Sequence, residues 1–295
     1  MRKQLLFVGM VILLIVSLLF FWELVLPLLN PANGRLSIQT PGNKAKVIID
    51  SKEVGETPFY SDHLRIGDHK IELKSADKQS FRFSTNTTLN STTLSILDID
   101  LSSSQTFSAG ENLYFKEGLS GLSLITRPEG TTLIIDGKSI GKSPFNQSLS
   151  SGVHTIKVEK KGYLTREVPI NIEQGYKLSA LIYLSANPFE NLAKIDNSSK
   201  ASFFQVTNKY VDLSKSYADW ANGIVSTEKN FDSLATRFDL LIDPTGKSYI
   251  LNETQWKNKK ATRAVINVGY LTKKQSDKVT SKAQVELDKI KAEFN

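Results

Sequence analysis

The longest apolar segment of the chain lies at its N-terminus. Residues Leu5–Leu29 are apolar except for Ser17, Glu23 and Pro27, and positive charge precedes them. Roughly 20 apolar residues span a bilayer core, and positively charged flanks stay in the cytoplasm. A cleaved signal peptide is the alternative, but its apolar region is normally about 7–15 residues long and ends in small residues, unlike Asn30-Pro31-Ala32. We therefore expect residues 1–33 to form a cytoplasmic tip and a single transmembrane anchor, with the bulk of the chain outside the cytoplasm.

After this segment, short runs rich in Ile, Val, Leu and Thr alternate with turn residues, and the pattern occurs twice. The repeated elements are Leu36–Thr40 with Leu122–Thr126, Val47–Asp50 with Leu133–Asp136, Val54–Phe59 with Ile140–Phe145, and Gly67–Ile71 with Gly152–Ile156. Self-similarity of this density predicts two copies of one unit. The composition predicts strands, and Asp136-Gly137 between two apolar runs is a hairpin signal. Residues 92–101 and 177–184 are predicted to close the two units as final strands.

The second copy carries five spaced motifs, Pro128-Glu129-Gly130-Thr131, Asp136-Gly137, Gly141-Lys142-Ser143-Pro144, Gly152-Val153-His154 and Lys161-Gly162-Tyr163. This series closely resembles the PEGA domain. The first copy resembles it less completely, because Ser75-Ala76-Asp77 replaces the Lys-Gly-Tyr element. The resemblance implies two small, antiparallel, sandwich-like β modules at residues 34–103 and 121–185. It also implies a role as spacer or interaction unit of prokaryotic envelope proteins, without catalytic residues.

The segment between the two copies has a different composition. Residues 102–121 are rich in Ser and Gly, which is typical of a flexible joint. We therefore expect residues 104–120 to be a linker, and the two modules to form a jointed stalk.

The C-terminal region, residues 186–295, is predicted to be an α+β domain. Apolar residues follow steps of three and four at Phe203, Val206, Tyr210, Leu213, Tyr217, Trp220 and Ile224, and the series continues to Phe231, Leu234 and Phe238. This spacing predicts a long helix, or a helix pair broken near Gly223, with one aromatic face packed within the domain. A dimeric coiled coil is the alternative.

The rest of this region predicts a hairpin, a third strand and a last helix. The hairpin comprises residues 238–243 and 248–251 around Pro244-Thr245-Gly246, and the third strand is Ala264–Val268. Thr272-Lys273-Lys274-Gln275 fits a capping box that opens the last helix. The apolar face of that helix is predicted to consist of Val279, Ala283, Leu287, Ile290 and Phe294.

Composition narrows the chemistry. The chain has 295 residues, a formal net charge of +7, three histidines and no cysteine. The lack of cysteine excludes disulfides, thiolate metal sites and a cysteine nucleophile. Moderate, scattered basicity suits a protein beside an anionic envelope and does not by itself indicate nucleic-acid binding. We expect neither a cofactor nor a metal ion.

Two sets of side chains are candidates for chemistry. His69 and His154 occupy equivalent repeat positions, which favours a shared turn over catalysis. Carboxylates at Asp239, Asp243 and Glu253 would serve a glycosidase if two of them faced each other across a cleft, but acidic residues at turns are usually solvated. No histidine lies in the C-terminal region.

A basic cluster near an aromatic residue is the predicted contact site. It consists of Trp256, Lys257, Lys259, Lys260 and Arg263. Charge together with an aromatic platform would contact an anionic envelope polymer or lipid headgroups, and a solvated helix face is the alternative.

Taken together, these patterns predict a membrane-anchored, extracytoplasmic structural or interaction protein and not an enzyme. Two β modules would present the C-terminal domain to a cell-envelope polymer or a protein partner. An accessory subunit of a larger membrane or secretion complex is the alternative. A carbohydrate-active hydrolase and a ligand sensor are further hypotheses.

Overall fold

A computed structural model describes residues 2–22, 33–76, 81–188, 191–197, 200–228, 237–274 and 276–294. The protein is mainly β, with helices at the C-terminal end and one N-terminal helix, α1 (Arg2–Phe20). Among these described residues, no helix combines the length and the apolar character that a membrane crossing requires. Residues 23–29 of the predicted anchor lie outside the described residues.

The first β module, defined here as β1–β7, forms two layers. Its strands are β1 (Gly34–Gln39), β2 (Ala45–Ile49), β3 (Lys52–Glu56), β4 (Phe59–Leu64), β5 (Gly67–Ser75), β6 (Arg82–Leu89) and β7 (Leu94–Asp100). One layer is an antiparallel sheet in the order β3-β2-β5-β6. In the other layer, β1 pairs with β4 antiparallel and with β7 parallel. Apolar side chains that alternate along the strands fill the space between the layers.

The second module, defined as β9–β15, repeats this topology. Its strands are β9 (Gly121–Arg127), β10 (Thr132–Ile135), β11 (Lys138–Lys142), β12 (Phe145–Ser148), β13 (Gly152–Glu159), β14 (Arg166–Ile172) and β15 (Tyr176–Tyr183). The predicted duplication and both closing strands are confirmed. The expectation of purely antiparallel modules is wrong, because β9 and β15 run parallel. Between β9 and β15 the chain passes through the other layer of the module. Such a crossover connection allows the two strands to run in the same direction.

One strand joins the two modules. β8 (Ala109–Glu117) pairs antiparallel with β7 on one side and with β15 on the other. The result is a continuous sheet of seven strands, in the order β12-β9-β15-β8-β7-β1-β4. The predicted flexible joint is therefore wrong, since the centre of residues 104–120 is hydrogen-bonded on both edges.

The second layers of the two modules cover opposite faces of this sheet. On β8, the Asn112 side chain donates to the Asn86 carbonyl of β6 at 2.7 Å. Its neighbours Leu113 and Phe115 instead pack against the core of the second module. Because successive residues of a strand point to opposite faces, β8 contributes to both cores at once.

The C-terminal domain is a five-stranded sheet with helices on both faces. Its elements are β16 (Asn191–Asn197), β17 (Ala201–Thr207), α2 (Tyr217–Glu228), β18 (Leu240–Ile242), β19 (Ser248–Ile250), α3 (Glu253–Thr262), β20 (Ile266–Thr272) and α4 (Ser281–Phe294). The sheet order is β16-β17-β20-β18-β19, and its three central strands are parallel. The prediction of an antiparallel sheet is therefore correct only for the outer strand pairs, β16–β17 and β18–β19.

The predicted long helix is wrong in its first half. Phe203 and Val206 lie in β17, and the helix begins only at Tyr217. The two sides of β17 pack into different core clusters, with Phe203 in one and Val206 in the other. A strand buried on both faces is apolar at most positions, so its sequence has no two-residue alternation to distinguish it from a helix. Phe231 and Leu234 lie outside the described residues.

The later elements agree better with the sequence. The hairpin is confirmed by the β18–β19 pair, and the third strand runs from Ile266 to Thr272, slightly later than predicted. Thr272 therefore ends a strand, so the predicted capping box is wrong; Gln275 lies outside the described residues. The last helix begins at Ser281, and four residues of its predicted face are buried, namely Ala283, Leu287, Ile290 and Phe294.

Candidate functional site

The predicted basic cluster lies on α3, but two of its four charges are paired. Lys259 Nζ is 2.8 Å from Asp239, and Lys260 Nζ is 2.5 Å from Glu293. Lys257 is exposed, and Arg263 forms the left-handed C-cap of the helix with φ +50°. The cluster is therefore a solvated helix face whose charge is partly neutralised.

Trp256 does not form the aromatic platform that the sequence suggested. Its side chain is only 8% exposed and belongs to the core beneath α3. Its ring lies 5.6 Å from that of Phe294, centroid to centroid. Because it is the only buried residue of α3, Trp256 anchors the helix to the sheet, and the expectation that it offers a binding surface is wrong.

The candidate carboxylates are held in local structure. Asp239 is buried, pairs with Lys259 and accepts a hydrogen bond from the Asn267 backbone amide at 2.9 Å. Asp243 accepts hydrogen bonds from the Thr245 hydroxyl at 2.6 Å and from the Tyr249 hydroxyl at 2.7 Å. Burial acts to raise the pKa of Asp243, but these hydrogen bonds outweigh it and leave that pKa below its usual range. Both side chains stabilise the ends of β18.

The two equivalent histidines form the same turn in both modules. His154 Nδ1 lies 2.6 Å from Asp136 Oδ2, and its Nε2 lies 2.9 Å from the Ser150 carbonyl. In the first module, His69 contacts Asp50 at 2.6 Å and the Arg65 carbonyl at 2.7 Å. Since both ring nitrogens have partners, neither imidazole has a free nitrogen for general-base work.

The aspartates of these pairs also shape the hairpins. Asp136 and Gly137 have φ values of +49° and +78°, the two positive values that a tight hairpin turn needs. The Asp136 carboxylate then accepts the Thr155 backbone amide at 2.9 Å. The Asp-Gly signal in the sequence thus predicted the turn, and the histidine locks it. Within the described part of the chain, no three His, Asp or Glu side chains lie close enough together to hold a metal ion.

The strongest functional geometry lies where the modules meet the C-terminal domain, a region we call the junction. Phe107, from the segment between β7 and β8, is buried among Trp220, Ala221 and Ile224 of α2. A Cβ on Gly223 would lie 2.5 Å from the Phe107 ring, so only glycine fits there. The inter-module segment is therefore part of the core of the C-terminal domain.

A second contact of the junction uses the Lys-Gly-Tyr element. Gly162, at φ +84°, approaches so closely that an added Cβ would lie 2.7 Å from Tyr210 Cβ. The buried Asn208 side chain donates to the Asn187 carbonyl at 2.8 Å and accepts the backbone amides of Tyr210 and Val211. The second module is thus fixed to the loop that follows β17.

Between these contacts the junction encloses a cleft of about 400 Å³. Both modules and the C-terminal domain contribute to its walls through Asn43, Asp100, Leu101, Phe107, Arg166, Leu184 and Ser226. Beside it, Arg166 Nε donates to Glu111 Oε2 at 2.6 Å, which ties β14 to β8. Burial raises the pKa of Glu111 despite this pairing.

Comparison with known families accounts for the two modules. The PEGA domain family matches residues 33–77, which include β1–β5 of the first module, and residues 119–184, which include the whole of the second module. The chain contains two PEGA domains. The second match includes the Lys-Gly-Tyr element that contacts the C-terminal domain. A search of the curated proteins found no match to the chain.

The sequence did not point to the junction residues. The sequence pattern predicts a helix at Tyr210 and a flexible joint at Phe107, and it marks Gly162 only as part of the PEGA-like motif. A local signal was present in Asn208, because an Asn directly after a strand commonly accepts backbone amides two and three residues on. The close approaches at Gly162 and Gly223 depend on distant partners and leave no local signal.

Proposed function

We propose that the protein is a membrane-tethered, extracytoplasmic scaffold that holds its C-terminal domain in a fixed position to contact an envelope polymer or a partner protein. The observation that carries this proposal is the continuity of the body. β8 joins the two PEGA domains into one sheet, and the junction buries side chains from the modules and from the C-terminal domain. Such a body holds the C-terminal domain at a fixed position relative to the two modules, whereas flexible linkers leave the positions of domains variable.

The proposed tether is supported by the surface of α1. The large apolar side chains of residues 10–22 are between 41% and 73% exposed. Contiguous apolar surface of this kind is normally covered, and an apolar run over Leu5–Leu29 is long enough for a bilayer core to be the cover. A non-catalytic role is supported by the engagement of both histidines and of Asp239 and Asp243.

Rigidity is tested by pulsed electron paramagnetic resonance on spin labels attached through Lys52→Cys and Lys282→Cys. The chain has no cysteine, so labelling is specific, and both positions are exposed. We expect a single narrow distance distribution in the full chain. A broad distribution in the otherwise unchanged protein would contradict the scaffold role.

Two glycines supply the matched comparison. Gly162→Ala should broaden the distribution, because its Cβ has no room against Tyr210. Gly175→Ala places a methyl group at nearly the same φ, +82°, with nothing within 4 Å. It should leave the distribution narrow, so any effect of backbone strain alone is separated from the loss of the contact.

The tether is tested by carbonate extraction of membranes from cells that produce the full chain. We expect the protein to stay in the membrane pellet. Leu13→Arg together with Leu14→Arg should release it, since each arginine at the centre of a spanning helix costs about 3 kcal/mol. Recovery of the unchanged chain in the soluble fraction would exclude the tether and leave the rigidity result untouched.

A further inference from the structure

A second cleft, of about 370 Å³, lies on the outer side of the junction. Lys209, Tyr210, Lys273 and Lys274 line it, and Lys161 of the second PEGA domain reaches the same tyrosine. We call these five residues the lysine–tyrosine cleft. It is separate from the basic face of α3.

Two ammonium groups share one aromatic ring in this cleft. Lys209 Nζ lies 5.0 Å from the centre of the Tyr210 ring, and Lys161 Nζ lies 5.8 Å from it. Both distances are within the range of attraction between a cation and a ring face. Tyr210 is 43% exposed, so a partly solvent-exposed residue lies beside ammonium groups from two domains.

The topology of the sheet explains why the other lysines join them. β17 and β20 are parallel neighbours, with Thr207 opposite Thr272. The residues that follow the two strands therefore emerge at the same edge, which brings Lys209 beside Lys273 and Lys274. The carboxyl edge of parallel strands is a common place for ligands in open sheets with helices on both faces.

The positive charge of the cleft is only partly balanced. Across the described ranges, no carboxylate lies within 4 Å of the ammonium groups of Lys161, Lys209, Lys273 or Lys274. Asp212 also lines the cleft; the Ser214 hydroxyl, which it accepts at 2.6 Å, and the nearby charge of Lys273 help to lower its pKa. One carboxylate therefore offsets part of the charge of four lysines, and a bound anion would relieve the remaining repulsion.

The parts that present the lysines are fixed. Asn208 holds the loop of Lys209 and Tyr210 through two backbone amides, and Gly162 sets Lys161 against it. Asp277 accepts the Lys274 backbone amide at 2.9 Å, which shapes the second loop. A surface that is arranged before binding has less conformational entropy to lose.

We propose that the lysine–tyrosine cleft binds an extended, phosphate-bearing polymer. All its cations are lysines, which commonly bind phosphate and act as point charges, without the planar, bidentate geometry that arginine offers to carboxylate and phosphate alike. All four lysines are exposed, so a single small anion would remain hydrated, while a polymer gains from the release of many counterions. This proposal rests on the scaffold role and names its ligand.

Fluorescence anisotropy of labelled long-chain polyphosphate, titrated with the full chain in neutral detergent micelles, tests the proposal. We expect an association constant whose logarithm falls linearly with the logarithm of the salt concentration. Changing Lys161, Lys209, Lys273 and Lys274 together to Gln should weaken binding at least tenfold and reduce the slope by roughly 3, at about 0.7 per lost phosphate contact. The double variant Lys273→Gln/Lys274→Gln avoids the junction and should give about half of the slope change.

A control variant removes the same charge elsewhere. It combines Lys52→Gln, Lys138→Gln, Lys257→Gln and Lys282→Gln, all at exposed positions, and should retain most of the affinity. Equal losses in the two quadruple variants would overturn the assignment to the cleft.

Three further probes decide the ligand. Polyglutamate of similar length should bind at least tenfold more weakly, and inorganic phosphate at the same phosphate concentration should not compete. Binding of either as tight as that of polyphosphate contradicts the proposal. Cleft-dependent binding to phosphatidylglycerol vesicles without binding to polyphosphate would replace the polymer by a lipid headgroup. None of these results changes the distance distributions that test the scaffold role.

Discussion

The two PEGA domains share a topology but pack against their common strand with different chemistry. Thr87 lies opposite His69 in the first domain. Ile170 lies opposite His154 in the second, so Thr87 and Ile170 are equivalent. By the same register, Thr85 corresponds to Val168. The layer that covers β8 is therefore polar at two buried positions of the first domain and apolar at the same positions of the second.

The polar positions form a small buried network, here called the polar seam, of Thr85, Thr87, Asn112 and Tyr183. The Tyr183 hydroxyl donates to Thr85 Oγ1 at 3.0 Å, and Asn112 Nδ2 contacts the same oxygen at 3.3 Å. Among the described residues, Thr87 Oγ1 and Asn112 Oδ1 are buried without a hydrogen-bond partner. A half-satisfied network lowers stability, but it gives β8 one polar and one apolar face. The polarity of each face of β8 thus matches that of the layer that covers it.

The largest expected effect comes from breaking the shared strand itself. In Gly110→Ala, the new Cβ would lie 2.1 Å from the Asp98 carbonyl oxygen and 2.7 Å from Ile99 Cα, both in β7. The strands cannot keep their spacing, so we expect a loss of about 3 kcal/mol or more in the free energy of unfolding. Urea denaturation followed by circular dichroism measures it.

Gly118→Ala is the control for that substitution. Gly118 follows β8 at φ +150°, close to the +156° of Gly110, with nothing within 4 Å of an added Cβ. A loss as large as that of Gly110→Ala would show that backbone conformation, and not the close approach of β7, requires the glycine.

The second prediction transfers the seam chemistry to the other domain. Ile170→Thr removes buried apolar volume and places a hydroxyl in an apolar core, which should cost about 3 kcal/mol. The adjacent Asn171 is exposed, and Asn171→Thr should change stability by less than about 0.5 kcal/mol. If Ile170→Thr and Asn171→Thr both changed stability only slightly, the second domain would tolerate a polar residue at the seam position. The difference between the two domains would then not contribute to stability.

The third prediction removes the unsatisfied hydroxyl of the first domain. Thr87→Val keeps the shape of the side chain and should stabilise the protein by about 1 kcal/mol. Thr85→Val should instead destabilise it by about 1–2 kcal/mol, because it leaves the Tyr183 hydroxyl without its acceptor. Thermal melting of the two variants side by side should give shifts of opposite sign, and shifts of the same sign would refute the distinction between the two threonines.

The smallest expected effect concerns the shared histidine turn. The hydrogen bond to Asp136, reinforced by the Ser150 carbonyl, raises the pKa of His154 above 6.5. A raised pKa stabilises the fold fully below pH 6.5, and the stabilisation is lost as pH rises through the folded-state pKa. Hydrogen bonds from His154 and Thr155 lower the pKa of Asp136, so its contribution is lost only in acid. Melting temperature should therefore be highest near about pH 5 to 6 and should decline toward pH 8.

His154→Gln should flatten part of that decline. His63→Gln is the control, because it removes an imidazole that is 84% exposed and lies outside the turn. An identical slope in all three proteins would exclude the turn as its source.

The parts of the fold that the sequence predicted are those with local causes. The repeat and its hairpins follow from residues that are neighbours in the chain, such as Asp136-Gly137. β8 could not be predicted in this way, because the segments around it are rich in Ser and Gly. Its pairing also depends on β15, which is distant in the sequence. The sequence predicts a helix where β17 lies, because a strand that is buried on both faces lacks the alternation of apolar and polar residues that marks a strand.

The candidate site shows the same limit. The lysines around Trp256 predict an aromatic side chain on the surface. In the structure, Trp256 is the one residue of α3 that packs into the core, and the charged residues beside it face the solvent. The lysine–tyrosine cleft assembles three segments through β17–β20 pairing and the approach of Gly162 to Tyr210. Its first and last residues, Lys161 and Lys274, are 113 positions apart in the sequence, so no local motif contains them all.

The pairing of β1 has a mechanical consequence. β1 is the first strand after the N-terminal segment, and it is hydrogen-bonded to β7 on one edge and to β4 on the other. A pulling force directed along β1 from residue 33 would load both ladders in shear, so their bonds would share the load and would not open one after another. The pairing of β1 on both edges therefore favours resistance to such a force at this end of the body.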